Sequence, residues 1–272
     1  MTEQPPRGRR FPAQWSSAAV PRGAGAAREP LRPQRLLHQA AQDAARHVVP
    51  SGLGMDNGPV RERMVARLRS EGIRTPALLA AFAAVPRHRF VDTALAIQAY
   101  EDTSLPIGLG QTISKPSVVA RQLQWLFDGV QASVQGHLGR VLEIGSGCGY
   151  QTALLARLGR SVISIERLQS LHQMARRHLD ALGVAGVRLV HGDGRIGHSP
   201  NAPYDSIVAA AGGEAIPQAW LDQLAPGGRL VAPTAMPGLV GHALVIVDRT
   251  PDGFVRRIGE AVAFVPLKSG IG

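Results

Sequence analysis

Short apolar runs alternate with helix-length segments through the second half of the chain. Five of these runs are candidates for buried strands, and a stretch long enough for a helix separates each from the next. This alternation is typical of a parallel sheet whose helical crossovers pack on its faces. The runs lie at 141–144, 161–165, 187–190, 206–210 and 229–232.

Two further apolar runs follow, at 243–247 and 261–265. An Asp252-Gly253 pair between them marks a turn, so the two runs indicate an antiparallel pair at the end of the sheet. The whole pattern predicts an α/β fold with a doubly wound, mostly parallel sheet and an antiparallel C-terminal strand pair.

Ahead of this region, apolar residues recur at helical spacing over 64–68 and again over 78–85. Turn-forming residues at 72–76 separate the two helices that this spacing predicts. Residues 105–116 are rich in glycine and proline and are predicted to form a loop. A helical period resumes over 118–127, so the loop leads into the amino terminus of a helix.

Residues 1–55 are rich in arginine, proline and alanine, and their prolines interrupt any period before it is established. We predict a disordered extension there and one folded domain over 56–272. Of the net charge of +10, the extension carries +5, from eight arginines and three acidic residues. Positive charge is typical of nucleic-acid binding, but Lys115 and Lys268 are the only lysines of the whole chain. This preference for arginine indicates a compositional bias, and we do not expect a nucleic-acid partner.

The chain has one cysteine, Cys148, so no intrachain disulfide can form, which favours a reducing cytoplasm. No apolar run approaches the roughly 18 to 20 residues of a membrane-spanning helix, and no apolar signal segment is present at the amino terminus. The cysteine and the histidines show no metal-ligand spacing. We therefore expect a cytoplasmic protein without a metal or a membrane contact. A monomer is our separate expectation, which no feature of the sequence tests.

The sharpest motif is VLEIGSGCGY at 141–150, where a predicted buried strand runs into a glycine-rich turn and then into a helix. Gly145, Gly147 and Gly149 allow a tight bend and a close approach of a ligand to the backbone. Their G-x-G-x-G spacing differs from the G-x-G-x-x-G of dinucleotide-binding turns. Since ligands of open α/β sheets bind at the carboxyl ends of the strands, we predict a binding site at this turn.

Acidic residues stand at three neighbouring strand ends. Glu143 precedes the glycines, Glu166 follows the second run, and Asp193 follows the third run within the sequence HGDG. A carboxylate beside the glycine turn disfavours a pyrophosphate and favours a ligand that carries a sulfonium and an ammonium group. Glu166 is placed to accept both ribose hydroxyls, and Asp193 to meet an adenine amino group. The set predicts a site for S-adenosylmethionine.

Two motifs give the chain a resemblance to a known family: LPIGLGQTISKP at 105–116 and the glycine motif at 141–150. The first resembles the signature loop of the protein-L-isoaspartate (D-aspartate) O-methyltransferases, and the likeness extends over about 60–267. It implies the Rossmann-like fold of class I methyltransferases. It also implies methyl transfer from S-adenosyl-L-methionine, which becomes S-adenosyl-L-homocysteine, to the free α-carboxylate of L-isoaspartyl residues in damaged proteins and peptides.

The resemblance also implies roles for individual residues. Ser114 matches the active-site serine of the family, and Thr112 and Ile113 would line the boundary between methyl donor and substrate carboxylate. Ser117 and Cys148 depart from the residues that are usual at their positions. The residues predicted to bind the cofactor are Glu143, Gly145, Gly147, Gly149, Glu166, Asp193 and Gly194.

Two alternatives stay open at this point. The same cofactor domain serves class I methyltransferases that act on other small molecules or on nucleic acids, although the Asp/Asn-Pro-Pro-Tyr type of motif expected of an amino-methylating enzyme is absent after the fourth run. An inactive cofactor-binding interaction module is the alternative from a different class.

Overall fold

The structure is a computed structural model, and it describes residues 58–236, 238 and 241–272. The predicted extension at 1–55 lies outside the described residues. Among the residues that are described, no helix combines the length and the apolar character that crossing a membrane requires.

The two helices predicted near the start of the domain are present, and further helices connect the strands. Proline opens both α2 and α3, where it costs no intrahelical hydrogen bond. In chain order the helices are α1 (Gly58–Ser70), α2 (Pro76–Ala84), α3 (Pro116–Phe127), α4 (Val130–Gln135), α5 (Tyr150–Leu158), α6 (Gln169–Ala181) and α7 (Gln218–Gln223). Short 3₁₀ helices lie at Arg87–Phe90, Thr93–Gln98, Gly194–Ile196 and Ser199–Asn201.

The strands are β1 (Leu105–Gly108), β2 (Gln111–Ile113), β3 (Arg140–Ile144), β4 (Ser161–Glu166), β5 (Val187–His191), β6 (Tyr204–Ala209), β7 (Leu224–Ala235), β8 (His242–Thr250) and β9 (Gly253–Val262). In the described part of the chain, one sheet has the order β5-β4-β3-β6-β7-β8-β9. The pairs from β5 to β7 are parallel, whereas β8 is antiparallel to both β7 and β9. The predicted fold class is confirmed.

The position of the ligand site follows from a reversal in this strand order. The chain builds outward from β3 to β5 and then returns to place β6 on the other side of β3. Both faces of the sheet are covered, since Val141 and Leu142 are fully buried in two different apolar clusters. Ligands of such sheets bind at the reversal, outside the carboxyl ends of the strands.

Residues 105–116 were predicted to form a loop, and the structure corrects this. Leu105 pairs with Ile113 in an antiparallel hairpin formed by β1 and β2, and both side chains are buried. Leu109 at the tip has a φ of 53° between two glycines that also have positive φ. The glycine and proline content therefore led to the wrong prediction for this segment, and the alternation of apolar positions indicates its structure correctly. A hairpin needs glycine and proline only at its turn.

The last strand also lies at other residues than the predicted 261–265. β9 begins directly after the turn, with Gly253 opposite Thr250 of β8, and ends at Val262. The turn fixes the register, so the strand consists largely of exposed residues that an apolar pattern does not reveal.

Candidate active site

A cavity of about 390 Å³ lies at the carboxyl ends of β3 and β4, where the fold predicts a ligand site. Its lining comes from the β1–β2 hairpin and the residues just after it, from the glycine turn, from the end of β4 and from the segment that follows β9. The predicted site residues among the lining are Thr112, Ile113, Ser114, Gly145, Gly147, Glu166 and Gly194. The structure thus brings together residues that stand far apart in the sequence.

The turn after β3 presents backbone to this cavity. Gly145, Gly147 and Gly149 have φ values of 91°, 55° and 90°, a region that residues with a Cβ rarely adopt. A Cβ on Gly147 would come within 3.3 Å of Ile107 in the hairpin, so a larger residue would crowd the cavity. Gly149 is not among the lining residues. It lies against Ala175 of α6, where a Cβ would come within 3.3 Å of the Ala175 Cα, and it allows α5 and α6 to pack closely.

The Glu166 carboxylate joins the end of β4 to the glycine turn. Its Oε2 accepts a hydrogen bond from the backbone N–H of Gly147 at 2.9 Å, and its Oε1 accepts one from the N–H of Leu168 at 3.0 Å. Each carboxylate oxygen has a second lone pair. The side chain can therefore hold the turn and still accept hydrogen bonds from two ligand hydroxyls, the role predicted for it.

Glu143 lies beneath the turn and is not among the residues that line the cavity. Its side chain is fully buried, and its Oε2 accepts hydrogen bonds from the hydroxyls of Thr152 at 2.5 Å and Ser164 at 2.6 Å. Burial raises the pKa of this carboxyl to about 7, against the lowering effect of the two hydroxyls. This position does not favour the direct cofactor contact predicted for Glu143 and instead gives the residue a part in supporting the turn.

Asp193 and Gly194 differ in position although they are adjacent. Gly194 lines the cavity, and a Cβ there would come within 2.6 Å of Ile144. The Asp193 carboxylate is half-buried outside the lining. It accepts hydrogen bonds from the backbone N–H of Arg195 at 2.8 Å and of Gly270 at 2.7 Å. The predicted contact of Asp193 with an adenine amino group would use the remaining lone pairs of these oxygens.

The β1–β2 hairpin brings Ser114 into the lining of the cavity. Ile113 is buried and anchors the hairpin, whereas Thr112 is exposed and Ser114 is half-buried. Ser114 stands two residues before α3 begins at Pro116, so the start of a helix fixes its backbone. The Ser114 hydroxyl has no hydrogen-bond partner within 58–236, 238 and 241–272, which leaves it free to bind a ligand.

Our sequence analysis missed the segment that follows β9. Hydrogen bonds from the Gly212 N–H to the Val265 oxygen at 2.8 Å, and from the Leu267 N–H to the Gly212 oxygen at 2.7 Å, hold this segment beside the end of β6. The available signal was the FVPL sequence at 264–267, to which our sequence analysis gave no role in the site. Its lining residues are Val265, Pro266, Leu267 and Lys268.

Cys148 also lines the cavity but is poorly suited to be a nucleophile. Its side chain is 3% exposed, and burial raises the pKa of the thiol to about 11. The thiolate, which is the reactive form, is therefore scarce at neutral pH. Among the described residues, no group of three or more histidine, cysteine, aspartate or glutamate side chains is arranged to hold a metal ion. The site offers backbone amides, a carboxylate and a hydroxyl, which suit binding and positioning.

Comparison with known protein sequences gives a consistent result. The profile of the family described as Protein-L-isoaspartate(D-aspartate) O-methyltransferase (PCMT) matches residues 60–272. A protein-L-isoaspartate O-methyltransferase of Methylibium petroleiphilum is 61% identical over 251 residues, which is 92% of each chain. One of Leptothrix cholodnii is 53% identical over 98% of this chain and 96% of its own.

Solved structures show the same fold. A protein-L-isoaspartate O-methyltransferase superposes with a TM-score of 0.67 at 27% identity, covering 78% of this chain and 67% of its own. A Plasmodium falciparum chain of the same description, solved in complex with S-adenosyl-L-homocysteine, gives a TM-score of 0.66 at 22% identity and covers 76% of this chain and 98% of its own.

Proposed function

The chain belongs to the protein-L-isoaspartate(D-aspartate) O-methyltransferase family, and from this premise we propose its reaction. It transfers the methyl group of S-adenosyl-L-methionine to the free α-carboxylate of L-isoaspartyl residues in damaged proteins and peptides. Family membership favours this function over both alternatives, the methylation of another substrate and an inactive binding module.

One observation supports the proposal above the others: Ser114 and Glu166, which stand far apart in the sequence, line the same cavity. Glu166 ends β4 and is hydrogen-bonded to the glycine turn. This end of the sheet suits the cofactor. Ser114 directly follows the hairpin, within the segment that resembles the family's signature loop. A methyl donor and a methyl acceptor can therefore meet between them.

The residues present fit S-adenosylmethionine. The Cβ positions of Gly147 and Gly194 would be crowded by Ile107 and Ile144, so glycine keeps these parts of the wall open. We assign to Glu166 the binding of the ribose hydroxyls. The backbone of the turn contacts the rest of the cofactor. When bound, the cofactor supplies an electrophilic methyl group on a positively charged sulfur, and S-adenosylhomocysteine is left after transfer.

We assign the orientation of the substrate carboxylate to the Ser114 hydroxyl. A carboxyl group has a pKa of roughly 4 and is already ionised at neutral pH, so the reaction needs no general base. The protein contributes position and the exclusion of water, and alignment alone can supply on the order of 7 kcal/mol or more. Charge is neutralised as the anion meets the sulfonium, so a cavity shielded from water favours the transfer.

The test compares two peptides that differ only in one linkage. Incubated with methyl-labelled S-adenosylmethionine, the protein should label a peptide that contains L-isoaspartate and should not label the same peptide with ordinary aspartate. Equal labelling of both peptides would contradict the proposed substrate. Absence of binding to S-adenosylhomocysteine in calorimetry would contradict the cofactor site as well.

We further propose that the protein works as a monomer in the cytoplasm. The single cysteine, Cys148, is buried, which suits a reducing compartment. Sedimentation of the full chain at micromolar concentration should give the mass of one chain, 28.8 kDa. A concentration-independent dimer mass would contradict the proposed oligomeric state.

A further inference from the structure

Arg87 is a fully buried arginine at the start of the short 3₁₀ helix Arg87–Phe90, and it is not among the residues that line the cavity. Burial lowers the pKa of its guanidinium, but an arginine remains charged in a protein. The described part of the chain gives this charge no ion pair with a carboxylate. A buried charge without such a partner costs stability. The fixed geometry of the arginine N–H donors therefore explains the residue better than stability does.

The Arg87 guanidinium holds the segment that leads into the β1–β2 hairpin. Its Nε donates a hydrogen bond to the Ala99 carbonyl at 2.7 Å, and its Nη2 donates one to the Thr103 carbonyl at 3.4 Å. These two carbonyls stand on either side of Asp102 in the sequence, and β1 begins shortly afterwards at Leu105. One planar group thus fixes the backbone of this segment at two points.

Asp102 extends this constraint to Ser114. Its carboxylate accepts hydrogen bonds from the Ser117 N–H at 2.8 Å and from the Ser117 hydroxyl at 2.7 Å. Ser117 lies in the first turn of α3, and Ser114 precedes the start of that helix at Pro116. A continuous chain of contacts therefore runs from Arg87 through Asp102 and Ser117 to the backbone at Ser114.

The same guanidinium also contacts the cofactor half of the site. Its Cζ lies 4.9 Å from the centroid of the Tyr150 ring, within the range of a cation–π interaction. Tyr150 is the first residue of α5, directly after Gly149 of the glycine turn, and it lines the cavity. The Phe90 ring packs edge-on against the same ring, with centroids 5.5 Å apart. Residues outside the cavity lining therefore set the position of this ring.

Resting on the proposed function, we propose that Arg87 is a positioning residue for methyl transfer, which holds the segment before the hairpin and the Tyr150 ring in one arrangement. Ser114 is tied to the first of these parts, and the glycine turn ends at the second. Arg87 thereby sets how the substrate carboxylate and the methyl donor face each other. Transfer depends steeply on this alignment, since a displacement of about 1 Å can cost about 100-fold in rate.

Arg87→Met provides the first test, because methionine keeps much of the apolar volume and removes the charge and the donors. Calorimetric titration with S-adenosylhomocysteine counts the folded sites and gives the Kd. We expect kcat for an isoaspartyl peptide, divided by the number of folded sites, to fall about tenfold or more. The Kd should change much less, because Glu166 and the backbone of the turn remain. Arg87→Lys should have an intermediate kcat, since lysine keeps the charge but lacks the planar fork.

Arg229 provides the matched control. It is also a buried arginine, and it does not line the cavity. Its Nη2 donates a hydrogen bond to Asp248 at 2.9 Å, and its Nη1 donates one to the Trp125 carbonyl at 2.8 Å. Arg229→Met should lower the midpoint of urea unfolding and leave kcat per folded site unchanged. A loss of kcat that follows stability alone would appear in both methionine variants.

Combination with Ser114→Ala tests whether Arg87 acts through Ser114. If Arg87 positions the Ser114 hydroxyl, removal of that hydroxyl also removes much of what Arg87 contributes. The fall in kcat of the double variant should therefore be smaller than the product of the two single falls. Ser117→Ala interrupts the same chain of contacts with a small change, and it should lower kcat and show the same coupling to Ser114→Ala. Ser117→Ala decides the matter if the Arg87 variants fail to fold.

The outcomes separate this inference from the proposed function. If the natural chain methylates no isoaspartyl peptide, the proposed function is wrong, and the inference is wrong with it. If the natural chain is active but Arg87→Met keeps full kcat per folded site, or its effect multiplies fully with that of Ser114→Ala, Arg87 does not position the methyl acceptor and the proposed function stands. A loss of cofactor affinity as large as the loss of kcat would overturn the inference in the same way.

Discussion

The Thr152 hydroxyl donates a hydrogen bond of 2.5 Å to the carboxylate of Glu143, directly beneath the glycine turn. Ser164 donates to the same oxygen, so one carboxyl group connects β3, β4 and the helix α5. Burial raises the pKa of this carboxyl to about 7 from its usual 4.5. The group beneath the turn therefore exchanges its proton near neutral pH.

The first prediction concerns stability and pH. Below pH 4.5 Glu143 is protonated in both the folded and the unfolded chain. Between about 4.5 and 7 the unfolded chain loses this proton while the folded protein keeps it, so the free energy of unfolding falls as pH rises. The full loss is on the order of 3 kcal/mol. We expect Glu143→Gln to remove this contribution, measured by urea unfolding between pH 5 and 8.

Glu62 offers the matched control, because it is an exposed carboxyl on α1. Glu62→Gln should leave the dependence on pH as it is in the natural chain. If Glu143→Gln shows the same dependence as the natural chain, the buried carboxyl does not titrate with a raised pKa.

The positions of Glu143 and Glu166 in the structure show how much of the site could be predicted from the sequence. Both acids follow apolar runs, and sequence places both near strand ends. In the structure Glu143 comes one residue before β3 ends and stands opposite Ser164, so its side chain enters the layer between sheet and helix. Glu166 is the last residue of β4 and reaches the turn. Glu143 and Glu166 lie on the same face of the sheet, because Ser164, the partner of Glu143, is two residues before Glu166. They differ in how far they stand from the carboxyl end of the sheet, and apolar periodicity does not fix strand ends closely enough to predict that difference.

Contacts between segments that are distant in the sequence could not be predicted either. The alternation of strands and helices depends on local periodicity, which is why the parallel sheet could be predicted. The hydrogen bond from Gly270 to Asp193, and the place of Lys268 in the cavity, depend on where the end of the chain returns. No local pattern carries that information.

The second prediction tests the carboxylate at the end of β4. Glu166→Gln replaces one acceptor oxygen by an NH2 group that cannot accept, so one of the two N–H groups, that of Gly147 or that of Leu168, loses its acceptor. Hydrogen bonds to charged groups contribute roughly 1.5 to 3 kcal/mol, so we expect 10- to 100-fold weaker binding of S-adenosylhomocysteine. Calorimetry measures this, with Glu62→Gln as the same change on an exposed carboxyl. Unchanged affinity would exclude Glu166 from the cofactor site.

The third prediction concerns Cys148. Because burial raises the pKa of the thiol to about 11, the folded protein should react slowly with iodoacetamide at pH 8, and addition of urea should expose the thiol. Cys148→Ala should keep most of the methyltransferase activity and lose about 1 kcal/mol of stability, since it removes one small buried group. Loss of nearly all activity in a folded Cys148→Ala variant would contradict the assignment of this residue as a packing residue.

The last prediction separates the two halves of the site. Ser114 lines the cavity directly after the hairpin and makes no hydrogen bond to the glycine turn or Glu166 within 58–236, 238 and 241–272, so Ser114→Ala should leave the affinity for S-adenosylhomocysteine unchanged. The variant should lower kcat for an isoaspartyl peptide about tenfold or more, because a hydrogen bond to the reacting carboxylate contributes roughly 1.5 to 3 kcal/mol. Ser133→Ala, an exposed serine on α4, is the matched control. A Ser114→Ala variant that kept full kcat and lost cofactor affinity would mean that this hydroxyl serves the cofactor and not the substrate carboxylate.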